Sequence, residues 1–251
     1  MKQIIRKLAK LPFLLYLKVH EHKTIDGLKY LFFNRKSRVL AIVFSAFDSS
    51  DDLRSYNYVR SLSNIGIDFI FLSDPWGYRG SYYLRDKGSD APVESVLRLV
   101  NQHIIGGGYS SVLTLGTSKG GSAALFYGLK LNAQDIVIGA CQYRIGSYVS
   151  NYPEIFRGMT GKTVNENDVN SLNSVLPHLI AGSSATRSHI HLIHSVKEPT
   201  YERDIKYLIR DLNSYGLKWT EIECGFEKHD DVGKFFIPYA SKFLKEIRSK
   251  K

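Results

Sequence analysis

A serine set between glycines directly after a hydrophobic strand is the residue of this chain best suited to covalent chemistry. Residues 112–115 read as a short strand, Gly116-Thr117-Ser118-Lys119-Gly120-Gly121 follows, and SAALFYGLK continues at once with helical character. G-x-S-x-G between a strand and a helix is the pattern of a nucleophile held in a strained turn. The flanking glycines are required because side chains there collide with the adjoining strand and helix. The turn lifts the Ser118 hydroxyl above the sheet and aims the first helical amides at it. A serine is a weak nucleophile until a base takes its proton, and the base needs an acid to orient it. Both follow later in the chain, each after a strand, in the order Ser, acid, His. Glu198 comes after the HIHLIH segment, and His229 after WTEIEC, just before the last helix. Glu202 and Asp204, on the first turn of the helix after Glu198, are the alternative acids. Asp230, adjacent to the base, points elsewhere in most local geometries.

Acyl chemistry also requires two backbone N–H groups aimed at the developing oxyanion. Lys119, the residue after the nucleophile, is one expected donor. The other is expected from the Ser45-Ala46-Phe47-Asp48 turn, from Ala46 or Phe47. Lys119 is an awkward choice for a helix's first turn, where a cation opposes the dipole. An anionic substrate group beside the nucleophile would offset that cost, as would a side chain that reaches out into water. Arg79 and Arg85 flank Gly80-Ser81-Tyr82-Tyr83, and Arg144 follows the strand next to the serine turn. Arg79, Tyr82, Arg85 and Arg144 are the expected substrate-binding rim, basic and aromatic, suited to a sugar or sugar-phosphate chain.

The elements that must position these groups alternate along the chain. Strands are expected at 28–33, 38–44, 68–72, 112–115, 135–140, 189–193 and 219–222, with a polar hairpin turn at 34–37. Helices are expected at 51–65, 93–105, 120–131, 201–215 and 235–247, the second stopped by Gly106-Gly107-Gly108. RVLAIVF at 38–44 is nearly continuous in apolar and β-branched residues, as in a strand buried on both faces. This rhythm predicts an α/β fold, a mostly parallel central sheet with helices on both faces. Residues 144–184 loosen into short helices, read as a small helical cap inserted over the carboxyl ends of the strands. Residues 23–251 read as one domain.

The 251 residues are 43% hydrophobic, enough for a well-buried core, and 34 Lys+Arg against 24 Asp+Glu give a net charge of +10. The surface therefore favours anionic partners. Cys141 and Cys224 supply neither a disulfide framework nor a structural zinc site, and they suit a reducing, cytoplasmic compartment. No run has the length of a membrane-spanning helix, and no cleavage pattern follows the basic start. Residues 1–22 stand apart as a basic amphipathic segment: Ile4, Ile5, Leu8, Leu11 and Leu15 recur at helical spacing among lysines and arginines. It is expected to pack on the domain edge or to rest on an anionic surface at the inner face of a membrane. Gly161-Lys162-Thr163 is not a phosphate loop, since Phe156 occupies the place of its first glycine. His189 and His191 share a strand face with no acid or thiol near them in sequence, so packing is expected there and no metal. The charge and the 16 tyrosines come without a nucleic-acid-binding motif.

The segments Phe44-Ser45-Ala46-Phe47, Tyr56-Asn57-Tyr58, Gly80-Ser81-Tyr82-Tyr83 and Leu115-Gly116-Thr117-Ser118-Lys119-Gly120-Gly121 together resemble a bacterial family. It comprises the α/β-hydrolase-fold proteins of capsule gene clusters, capsular polysaccharide O-acetyltransferases among them. A weaker likeness extends to the acetyltransferase-like component of the accessory Sec system. The resemblance runs from about Phe44 to His229. It implies an α/β-hydrolase fold and transfer of an acetyl group from acetyl-CoA, through the serine, to a hydroxyl of an anionic or neutral polysaccharide. By this resemblance Ser118 is the nucleophile, His229 the base, and Glu198 stands where the family has an aspartate. Hydrolysis of acylated saccharides, or a non-catalytic part in polysaccharide assembly, are the alternatives.

Overall fold

The computed structural model describes residues 12–13, 15–47, 56–183 and 186–250. Its centre is an eight-stranded sheet in the order β1-β2-β4-β3-β5-β6-β7-β8. The strands are β1 (His22–Lys23), β2 (Lys29–Phe33), β3 (Val39–Phe44), β4 (Asp68–Ser73), β5 (Ser111–Thr117), β6 (Asp135–Gly139), β7 (His189–His194) and β8 (Lys218–Glu223). From β4 to β8 every neighbouring pair is parallel, while β1 and β2 add an antiparallel edge.

β3, β4 and β5 are buried at every residue, because helices cover both faces. Alternation divides each strand between the two layers. Leu40, Ile42 and Phe44 join one core with α2 (Ala91–Gly107), α3 (Lys119–Lys130), α6 (Glu166–Ala181) and α7 (Lys206–Ser214). Val39, Ala41 and Val43 join the other, with α1 (Val59–Leu62) and α8 (Val232–Ser249). Between β6 and β7 the chain forms α4 (Ile145–Val149), α5 (Pro153–Thr160) and α6, and Leu172, Leu176 and Ile180 of α6 enter the first core. A π-helical turn, Tyr201–Ile205, leads into α7.

Two expectations need correction. Residues 34–37 do not close a hairpin between neighbours: β2 pairs with β4, and β4 lies between β2 and β3. The segment instead crosses the amino end of β4, where Asp68 Oδ1 accepts the amides of Arg35 and Ser37 at 2.8 and 3.0 Å. Of the helix expected at 51–65, residues 59–62 are helical and 51–55 lie outside the described residues. Most of the basic amphipathic segment, residues 1–11 and 14, also lies outside them. Residues 15–19 are helical, with Leu17 buried in the second core and Leu15 and Val19 exposed. No helix among the described residues is long and apolar enough to cross a membrane.

Candidate active site

Ser118 sits between the last residue of β5 and the first of α3, with φ 55° and ψ −128°. That left-handed backbone is costly for a non-glycine residue, about 1–3 kcal/mol, and persists only where surroundings enforce it. They do so here. A Cβ on Gly116 would lie 2.1 Å from the Gly120 carbonyl oxygen, and one on Gly120 would lie 2.3 Å from that of Phe44. The Ser118 amide donates to the Gly139 oxygen at 2.8 Å, tying the turn to β6.

The hydroxyl so presented meets the imidazole of His229, with Oγ 2.8 Å from Nε2. His229 Nδ1 lies 3.0 Å from Glu198 Oε1. A proton on Nδ1 donated to Glu198 leaves Nε2 to accept from the serine, the tautomer that general-base catalysis needs. Thr200 donates to the same Glu198 oxygen at 2.6 Å and lies 3.3 Å from His229 Nδ1. The Glu198 side chain is 2% exposed and that of His229 31%. The three side chains come from the loops after β5, β7 and β8, all at the carboxyl edge of the parallel sheet.

Burial alone would raise the Glu198 carboxyl, but the hydrogen bonds from His229 and Thr200 outweigh it and hold the group below its usual range. A carboxyl depressed on folding contributes stability above its unfolded pKa, and loses it as pH falls through the lower folded value. Glu198→Gln should therefore be least stable relative to wild type near neutral pH, with the gap in Tm closing on acidification. Its turnover should fall by about 10³–10⁴-fold, because the imidazole loses its orienting charge. Thermal melts across acid pH and steady-state rates read the two effects separately.

The expected oxyanion donors are placed unequally. The Ala46 amide already donates to Asn57 Oδ1 at 2.8 Å. The Ser45 amide donates to the Tyr83 hydroxyl at 2.9 Å, and that hydroxyl in turn donates to the Leu72 oxygen. Phe47 follows these two anchors, and its amide makes no hydrogen bond within the described residues. Asn57 and Tyr83 thus anchor residues 45–46, immediately before Phe47, which gives a structural part to two segments of the family resemblance.

Lys119 behaves unlike either expectation. Its side chain is 1% exposed, and Nζ pairs with Asp74 Oδ2 at 2.8 Å beneath the rings of Phe47 and Tyr83. Asp74 Oδ2 also accepts the amides of Ser81 and Tyr83 at 2.7 and 3.1 Å. The charge is answered inside the protein, so it needs neither substrate nor water. Sequence reasoning overlooked Asp74, because an acid after β4 looks like any loop carboxylate.

The expected rim divides. Arg79 is stacked on Tyr78 with φ 62°, whereas Tyr82 is wholly buried and its hydroxyl has no partner among the described residues. Arg85 is engaged by Ser171 and Asp90. Arg144 covers Tyr207 and lines a small cleft with Ser147, Tyr148, Asn151, Arg203 and Asp204. The alternative acids are used elsewhere, Glu202 by Lys206 and Asp204 by the Arg144 amide. Gln142, also unforeseen, donates from Nε2 to Ser118 Oγ at 2.9 Å. Its one visible signal is position, just past the end of β6, the strand beside the serine turn.

No protein-family model matches the chain, and no curated protein sequence matches it. Solved structures do. The capsule O-acetyltransferase of Neisseria meningitidis serogroup A superposes with a TM-score of 0.76 at 21% identity, over 90% of this chain and 94% of that one. A variant of that enzyme with one histidine replaced by alanine, in complex with CoA, matches at TM-score 0.75 and 21% identity, over 89% and 94%. The fluorophosphonate-binding serine hydrolase F of Staphylococcus aureus, substrate bound, matches at TM-score 0.65 and 10% identity, over 90% and 96%. At these identities the likeness is one of fold: the chain has the α/β-hydrolase fold, and the capsule enzyme stands among its structural neighbours, as the sequence resemblance implies.

Proposed function

We propose that this protein is a serine-dependent acyltransferase that O-acetylates a bacterial surface polysaccharide from acetyl-CoA. The observation that carries this reading is the unbroken Ser118–His229–Glu198 hydrogen-bond chain under a strained serine turn. In the first half-reaction Ser118 Oγ attacks the thioester carbonyl while His229 Nε2 takes its proton. The amides of Phe47 and Lys119 hold the oxyanion; Ala46, occupied by Asn57, is left out of that role. Collapse expels the CoA sulfur, which leaves with the proton from His229, and acetyl-Ser118 remains. A sugar hydroxyl then gives its proton to Nε2 and attacks the ester, and collapse returns the proton to Ser118. Glu198 stabilises the imidazolium in both halves.

Support for transfer comes from the fold shared with the meningococcal enzyme, the CoA complex of its variant, and the net charge of +10, which favours anionic donors and acceptors. Hydrolysis is the second reading, favoured by the 31% exposure of the His229 side chain, which leaves the base open to water. Incubation with acetyl-CoA and capsule oligosaccharides, followed by NMR for acetyl on sugar, decides between them. Acetate release at a rate that no acceptor changes would establish the esterase. We further propose the domain limits 23–251, with 144–184 as the cap, and a cytoplasmic protein whose residues 1–20 rest on an anionic membrane surface. Removing residues 1–11, which spares buried Leu17, should reduce binding to anionic liposomes in a flotation assay.

A further inference from the structure

β7 carries histidines at alternate positions, so His189 and His191 lie on one face of the sheet. The sequence places no acid beside them, but strand register does: Asp135, the first residue of β6, pairs directly with His189. One ligand atom from each of Asp135, His189 and His191 lies within 4.8 Å of the other two. His191 Nε2 is 3.0 Å from Asp135 Oδ1, and the two imidazoles stack with centroids 4.5 Å apart. A hydroxyl backs each ring, Tyr239 at 2.8 Å from His191 Nδ1 and Thr220 at 2.7 Å from His189 Nε2. A ring N–H donated to such an oxygen fixes the tautomer and leaves the other nitrogen as a lone-pair donor, as outer partners do for metal-bound histidines. With His191 Nδ1–H donating to Tyr239, Nε2 presents a lone pair to the carboxylate oxygen, an arrangement that a bridging cation satisfies; with the Tyr239 hydroxyl as donor, Nε2–H donates to Asp135 instead.

We propose that Asp135, His189 and His191 bind a divalent transition metal of the zinc type, with Tyr239 and Thr220 orienting the imidazoles. Two imidazoles and one carboxylate form a donor set that suits Zn²⁺, not the hard, oxygen-seeking Ca²⁺ or Mg²⁺. Bonds of about 2.0–2.2 Å place tetrahedral ligand atoms roughly 3.3 Å apart. The His191–Asp135 separation already fits, and His189 closes the set by side-chain rotation. Three protein ligands leave a fourth position for water. The cluster lies at the amino ends of β6 and β7, the edge of the sheet opposite Ser118. The ion therefore clamps two strands and takes no part in acyl chemistry, and the proposal does not depend on the enzyme's function.

Titration of the chelator-stripped, full-length protein with ZnCl₂ by calorimetry should show one saturable site in the micromolar range or tighter, with a parallel rise in Tm. The His189→Ala/His191→Ala pair should abolish that event, and His189→Gln alone should weaken it by about tenfold or more. The single variant keeps the test open if the double variant does not fold. His20→Ala/His22→Ala, at the far edge of the sheet, should leave it intact. Absence of a one-to-one event in the wild type, or undiminished affinity in the β7 variants, would leave only a histidine–carboxylate hydrogen bond and overturn the proposal.

Discussion

Ser118→Ala should lower acetyl transfer by about 10⁴-fold or more and abolish labelling by a fluorophosphonate, while the fold is kept. The size follows from the geometry. Ser118 Oγ is the atom that His229 Nε2 faces at 2.8 Å, and no other hydroxyl lies on that nitrogen among the described residues. Thr200 is near the ring, but on Nδ1, the side that faces Glu198. Alanine also relieves no backbone strain, since it must adopt the same φ of 55°, and it leaves the buried Gln142 Nε2 without its Ser118 acceptor, so Tm should hold or fall by a few degrees. The residual rate left by the oxyanion amides and substrate binding is the floor for the measurement. A variant that still labels and still transfers acetyl would remove the covalent mechanism, and with it the reading of this site as catalytic.

The second large effect is on stability. Asp74→Asn should destabilise the fold by about 3–5 kcal/mol, because it removes the carboxylate paired with an ammonium that is itself buried. At this chain length each kcal/mol is roughly 2–4 °C of Tm. The asparagine still offers an oxygen to the amides of Ser81 and Tyr83, so the loss reports the charge and not those hydrogen bonds. Asp74→Asn with Lys119→Met removes both charges and should recover most of the stability. A single variant within about 0.5 kcal/mol of wild type would mean that the pair contributes little. The variant should also slow turnover, since the Lys119 backbone is one side of the proposed oxyanion hole.

These two residues mark the boundary of what could be read without a structure. Ser118, Glu198 and His229 were legible because the serine turn has a local signature and its partners follow in a fixed order behind recognisable strands. β3, β4 and β5 were legible for a related reason, since a strand buried on both faces is apolar at every position. The partner of Lys119 was not, because Asp74 lies 45 residues away and meets it only through the pairing of β3 with both β4 and β5. The edge order failed likewise. Nothing local to Asn34–Ser37 tells that the chain must step over β4 before β3 begins, and a polar turn between two strands suits a hairpin equally well. The metal candidate followed the same rule: the histidines were visible on one strand, but the carboxylate that completes them arrives from β6 by register.

The π-helical turn at Tyr201–Ile205 bears on how such proteins tolerate insertion and deletion. One surplus residue is accommodated there, three positions after Glu198. Upstream of it the acid loop reaches His229, and within it Asp204 accepts the Arg144 amide at 2.7 Å. Shortening this stretch by one residue would start an ordinary α-helix and turn Asp204 by about 100° around its axis. Relatives that lose the widened turn should therefore also have rebuilt the start of α4, and length variation at the two places should be inherited together.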